Sequence, residues 1–150
     1  MAKNFSFTRQ QQKSLRAILG SLPAYGDFKG AESFLLRYIA FETLTRKIWN
    51  LHRSAKANKT INESHAPLPL LAVKYAFTAY NIKVSDTVIQ PILDSSLKKQ
   101  WAKNVRSLRN GLVHQWKAKD REEVIARYDE IMTYLDKVIN AIKVEIIHEH

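Results

Sequence analysis

Cysteine is absent from the 150 residues. That excludes disulfides, thiolate nucleophiles and cysteine-ligated zinc, and it agrees with a reducing cytosol. Glycine and proline are scarce, with four of each, so long continuous elements joined at a few turn points are expected. No stretch approaches the roughly 18 consecutive apolar residues of a membrane helix. The opening Met1-Ala2-Lys3-Asn4-Phe5 lacks the apolar run of a secretory signal. The expectation is a single cytoplasmic domain over residues 1–150, without membrane contact and large enough to bury one core.

Acidic charge is the other shortage: 14 Asp and Glu stand against 24 Lys and Arg, for a net charge of +10. The imbalance is uneven, at +8 over residues 1–59, +6 over 60–119 and −4 over 120–150. Such a field draws a polyanion toward the first two thirds of the chain with a salt-dependent affinity, so charge favours a nucleic-acid partner over plain solubility charge. Hydrophobic residues make up 45%, enough for a globular core and too many for a disordered chain.

What is present reads as helix throughout. Leu15, Ile18, Leu19 and Leu22 repeat at helical spacing over Gln10 to Leu22, before Pro23 and a turn at Asp27-Phe28-Lys29-Gly30. A long helix is predicted from about Ala31 to Ala55, with Phe34, Leu35, Tyr38, Phe41, Leu44, Ile48 and Leu51 on one stripe and Arg37, Arg46, Lys47 and Arg53 largely off it. Residues 56–66 are polar and unpatterned, hence a loop. Pro67 and Pro69 open a third helix near Leu68 to Tyr80. After a connector at 81–85, Ser85 or Asp86 caps a short turn that Pro91 interrupts. Asp94 or Ser95 then caps a helix carrying Leu97, Trp101, Val105, Leu108 and Leu112. A last helix is predicted to start at Asp120, with Glu123 completing a capping box, and to run to Ile146. The expected fold is all-α, a helical bundle of four long helices plus one or two short ones.

One segment reads as chemistry. In Arg109-Asn110-Gly111-Leu112-Val113-His114 an arginine and a histidine frame four residues. Arginine neutralises phosphate, histidine moves a proton near neutral pH, and together they suffice to cleave RNA without a metal. With nine arginines and five histidines, about one such spacing is expected by chance. Arg46 to His52 also qualifies, so context must decide. Arg46 is followed by Lys47 on a helix whose stripe accounts for it as a solvated face. Arg109 is followed by Asn110, whose amide can orient a phosphate or the imidazole. Gly111 costs about 1 kcal/mol relative to alanine in a helix interior, so it needs a reason such as close approach of another backbone or a substrate. On a straight helix Arg109 and His114 point roughly 140° apart. Either the helix bends at Gly111, or two subunits combine their residues at a two-fold interface.

This motif, on the penultimate helix of a small, basic, cysteine-free helical chain, resembles the HEPN superfamily (higher eukaryotes and prokaryotes nucleotide-binding domains). The resemblance implies a metal-independent endoribonuclease that needs no cofactor. It further implies a homodimer with two motifs facing across the interface, and a toxin, anticodon nuclease or anti-phage effector with an antitoxin or regulatory partner. Carried over, the catalytic residues are Arg109, Asn110 and His114. The acidic residue on an earlier helix is Glu42, for which an i,i+4 salt bridge to Arg46 is an equally good account. One toxin branch has a tyrosine two residues after the histidine, used for regulatory modification. Trp116 stands there in this chain and removes that hydroxyl. Target choice is expected to lie in groove shape and in loops such as 56–66.

The implied reaction is attack of the ribose 2′-OH on its own phosphate, with His114 as general acid or base and Arg109 stabilising the pentavalent phosphate. Lys99, Lys103 and Arg106, with Lys98 on the same predicted helix, and Arg46 are the candidates for tracking the RNA backbone. Trp49, Trp101 and Trp116 are candidates for stacking bases, Trp101 fitting the core better. His52 and His65 have no identifiable partner, and His148 and His150 suggest incidental metal affinity at most. Two other classes fit the same sequence. One is a catalytically inactive helical module that binds nucleic acid, nucleotide or a protein partner. The other is a structural dimerisation or immunity-type protein whose Asn110 and His114 are bonded within a helical core.

Overall fold

The long amphipathic stripe of the second helix sets the architecture. In the computed structural model, which describes residues 5–20, 30–63, 65–94 and 103–148, this helix, α2, runs from Ala31 to Ala57. Phe34, Tyr38, Phe41, Leu44 and Ile48 repeat on one face and are all but sealed from solvent. That face packs against α7 (Tyr128–His148), whose Ile131, Met132, Leu135, Val138, Ile139, Ile142 and Ile146 form the matching stripe. Burying each such side chain is worth about 1.5–3 kcal/mol, so this pair dominates the core. An ion pair between Arg37 and Asp136, 3.2 Å apart, and a hydrogen bond of 2.9 Å between Ser33 Oγ and the Tyr128 hydroxyl pin the register of the two helices. Arg37, off the apolar stripe in sequence, is therefore buried and partnered across the bundle.

The other helices surround this axis. They are α1 (Arg9–Gly20), α3 (Leu70–Ala79), α4 (Asp86–Leu93), α5 (Val105–Gln115) and α6 (Ala118–Ala126). Among the described residues there are seven helices and no strand, and one connected apolar core joins all of the bundle. The all-helical expectation holds, although only α2 and α7 are long. Residues 5–8 run beside the α3 end, where the Phe5 N–H donates to Ala79 O at 2.8 Å and Phe7 stacks on Tyr80 at 4.7 Å. Asn58 ends α2 in the left-handed region at φ 55°, a conformation asparagine tolerates.

Three boundaries differ from the sequence expectation. Pro91 lies inside α4 instead of interrupting it; its ring removes one internal hydrogen bond, and the helix still closes with Asp94 N–H on Gln90 O at 2.8 Å. The helix expected from Asp94 or Ser95 begins at Val105, capped by Asn104, whose side-chain oxygen accepts the Ser107 N–H at 2.8 Å. Lys103 therefore precedes the helix that carries Arg106. Ser95, Leu97, Lys98, Lys99 and Trp101 lie outside the described residues, as do Leu22, Pro23 and residues 27–29 of the first expected turn.

The last expected helix is two helices broken at Arg127. Its capping box does not form: Lys117 occupies the N-cap position and Asp120 is buried inside α6, only 1% exposed. Glu123 instead pairs with Arg127 at 2.7 Å, and Arg127 Nη1 also donates to Lys103 O at 2.9 Å. The junction is thereby tied to the entrance of α5.

Candidate functional site on helix 5

Helix α5 presents the Arg109–His114 segment because its remaining face is needed for packing. Val105, Leu108 and Leu112 recur at helical spacing and are buried. Arg109 sits on the border of that face, toward α2. There its Nη2 lies 3.5 Å from Glu42 Oε1, and Arg46 Nη2 reaches the same oxygen at 3.6 Å. The Arg109 guanidinium also lies 5.9 Å from the centre of the Tyr38 ring, and its Nη1 donates to Asn110 Oδ1 at 3.0 Å. Glu42 is thus the i,i+4 partner of Arg46 and is also ion-paired with Arg109.

Two guanidinium groups on one carboxylate leave a local surplus of one positive charge. The three side chains are about one-quarter exposed, so the surplus is reachable and yet less screened than on an open surface. Arg46 is accordingly a half-buried member of this cluster, not a free surface cation. Arg106 is committed elsewhere. It donates to Leu68 O and to the Tyr38 hydroxyl, which anchors α5 to the segment entering α3. Burial pushes the Tyr38 phenol up, with the Arg106 hydrogen bond and charge pulling against it. Tyr38 reads as plain core in the sequence, and nothing in its spacing signals that its hydroxyl is used.

Lys103 is also engaged, with Nζ 2.9 Å from Asp120 Oδ1. The second oxygen of Asp120 is enclosed without a hydrogen-bond partner. This carboxylate explains Gly111. A Cβ at position 111 would sit 1.7 Å from Asp120 Oδ2 and 2.8 Å from its Cγ. The glycine is thus required by close approach, as its cost in a helix suggested, but the approaching group is a side chain of α6.

Asn110 and His114 face solvent one turn apart. Helix α5 runs unbroken through Gly111, and among the described residues His114 makes no hydrogen bond or ion pair. Within one copy of the chain, then, Arg109, Asn110 and Glu42 are brought together and His114 is not joined to them. Two exposed apolar side chains flank the cluster, Ile39 on α2 and Val113 on α5, each 51% exposed, and Leu36 is equally exposed one turn before Ile39. Ile39 is three residues before Glu42 and Val113 four after Arg109, so both are helix-face neighbours of the charged groups. Trp116 ends α5 in the left-handed region at φ 49°, with the Arg121 guanidinium 5.2 Å above its ring.

Among the described residues no group of three or more His, Asp or Glu is placed to hold a metal ion, and no helix is long and apolar enough to cross a membrane. Lys99 and His150 lie outside the described residues, and His65 is exposed. No family model, curated protein or solved structure matches this chain.

Proposed function

We propose that the chain is a metal-independent endoribonuclease whose working groups are Arg109, Asn110 and His114, completed by a second copy of the chain. The observation that carries this reading is the Arg109–Glu42–Arg46 cluster beside Asn110, a reachable surplus of positive charge on the helix that also exposes His114. A phosphate docked there would take Arg109 and the Asn110 amide as partners, while Glu42 holds the guanidinium in place.

The chemistry then needs only a proton carrier. The 2′-OH oxygen attacks phosphorus while a histidine removes its proton. The P–O5′ bond breaks, the departing oxygen takes a proton, and the products carry a 2′,3′-cyclic phosphate and a 5′-hydroxyl. Arg109 meets the charge that builds on the pentavalent phosphate. His114 projects away from Arg109 of its own helix, so a partner's histidine is the natural complement. The exposed Leu36, Ile39 and Val113 offer apolar area for that association.

The test incubates purified protein with tRNA and with a structured single-stranded RNA in EDTA, beside a folded His114→Ala control. Cleavage by the wild type alone, leaving cyclic-phosphate ends, is the expected result; loss of the histidine should cost about 10²–10⁴-fold. DNA of the same sequence should survive, since it lacks the nucleophile. Binding of RNA by both proteins with cleavage by neither would make the chain an inactive nucleic-acid module.

A further inference from the structure

A broad groove lies away from the Arg109 cluster. It opens further along α2, between that helix and α3, with a volume of about 910 Å³. Trp49, His52, Arg53, Lys56, Ile61, Tyr75 and neighbouring small residues line it, and among the described residues no carboxylate does. Its make-up is specific: two aromatic rings, two cations and an aliphatic wall. Tyr75 is 64% exposed, so its ring face is open to a ligand in the groove. His52 is buried with its Nδ1 enclosed and unpartnered, its ring resting against Trp49 at 5.8 Å and Phe5 at 6.0 Å. Arg53 is fixed in orientation by a hydrogen bond of 3.4 Å to Asn50 Oδ1.

We propose that this groove seats a nucleotide unit, its base against Trp49 and Tyr75 and its phosphate on Arg53 and Lys56. Flat aromatic faces take bases of any identity, and cations set beside them take the phosphate that every nucleotide carries. A purely apolar ligand would leave both cations without a counter-charge, and a bare phosphate would leave the rings unused. The position of the groove favours a strand. Glu42, Arg46, Trp49, Arg53 and Lys56 are spaced 4, 3, 4 and 3 residues apart, so all five share one face of α2. Glu42 and Arg53 are eleven residues apart, about 16 Å of helix. A few nucleotides of single strand span that separation, so one RNA could rest a base in the groove with a phosphate at Arg109. This last step rests on the ribonuclease reading; the groove itself does not.

The test follows Trp49 fluorescence in a His114→Ala protein that also carries Trp101→Phe and Trp116→Phe, so that no substrate is consumed and one indole reports. AMP and a uridine tetranucleotide are titrated separately. Quenching is expected, weakened about tenfold by Tyr75→Ala and by Arg53→Gln with Lys56→Gln, with circular dichroism unchanged because these side chains carry little of the core. Tetranucleotide binding at least tenfold tighter than AMP assigns the unit to a strand, and equal affinities assign it to a free nucleotide. No quenching by either, or affinities indifferent to the three groove substitutions, overturns the proposal. Cleavage by the wild type is scored apart. Cleavage with a KM unmoved by Tyr75→Ala would sink the groove and spare the nuclease, whereas quenching without any cleavage would do the reverse.

Discussion

A single glycine illustrates how tightly residue-level chemistry constrains this protein. Replacing Gly111 by alanine gives α5 about 1 kcal/mol of helix propensity. The added methyl, however, enters the space of the buried Asp120 carboxylate, and overpacking of that kind costs about 1–3 kcal/mol. Gly111→Ala should therefore lower the urea midpoint. In an Asp120→Ala background the obstruction is gone, and the same substitution should become neutral or stabilising. Urea denaturation of the four-member cycle reads that change of sign directly, and additive effects would show that Asp120 is not what the glycine accommodates.

His52 supplies the residue-scale pH dependence. Burial, helped by the nearby Lys56 charge, holds its imidazole below the ordinary 6.5. The unfolded chain then binds a proton near that pH which the folded chain refuses, so stability rises with pH across this window and is lost as pH falls below about 6.5. Asp136 acts in the opposite sense at more acid pH. Burial raises its carboxyl above 3.8 against the pull of Arg37, so its contribution is present below that pH and lost as pH rises through the folded value. Urea midpoints at about pH 7.5 and 5.5 should differ in the wild type and draw together in His52→Gln. An undiminished difference in the variant would assign the slope to another group.

At the scale of elements, the start of α5 is where sequence and structure part most instructively. If the helix began at Asp94 or Ser95, Asn104 would lie in its interior and Asn104→Ala would stabilise. Asn104 instead caps Val105–Gln115, and its Nδ2 donates to Asp94 O at 3.1 Å. The substitution should thus cost about 1 kcal/mol, and thermal melting distinguishes the two signs. The sequence pattern hides the break before Val105 for a physical reason. Leu97, Trp101, Val105, Leu108 and Leu112 keep helical spacing straight through the boundary, and periodicity alone carries no record of a break. The split at Arg127 escaped for the same cause, since Val124, Tyr128 and Ile131 stay in phase across it. Where a break coincided with a change of pattern, as at Gly30 or Asn58, the ends of α2 were legible to within two residues. The α2 and α7 stripes were legible as well, because each repeats over five or more turns.

The candidate site divides along the same line. Glu42 could be picked out because it interrupts an apolar stretch, and Arg109 because Asn110 and Gly111 follow it. Their meeting across two helices, and the capture of Lys103 by Asp120 and of Arg106 by Leu68 O and Tyr38, depends on how α5 lies against α2 and α6. No local spacing encodes that. Glu42→Gln tests the coupling: it removes the charge both arginines share while keeping the shape. Under the ribonuclease reading, activity should fall about tenfold or more while the helical signal persists, because Arg109 loses its orienting partner. Unaltered cleavage by a folded Glu42→Gln protein would leave Glu42 a surface ion pair of small worth.

For the whole molecule the decisive quantity is how many copies make a site. Arg109 and His114 diverge by about 140° on an unbroken α5, and the exposed Ile39 and Val113 flank the charged cluster. If each centre draws Arg109 from one copy and His114 from the other, Arg109→Ala and His114→Ala homodimers each lack a working centre. A mixed dimer keeps one intact centre of its two. Random exchange makes half of the dimers mixed, so an equal mixture of the two dead proteins should recover about a quarter of wild-type activity at the same total concentration. A glutamate at Ile39 or Val113 should abolish that recovery and yield folded monomers by light scattering, since an unpaired charge buried in an interface opposes association. Recovery that persists in monomers is impossible on this geometry. A dimeric mixture that stays inactive would instead place both groups in one subunit, and α5 would then have to bend at Gly111 for the two to meet on a phosphate.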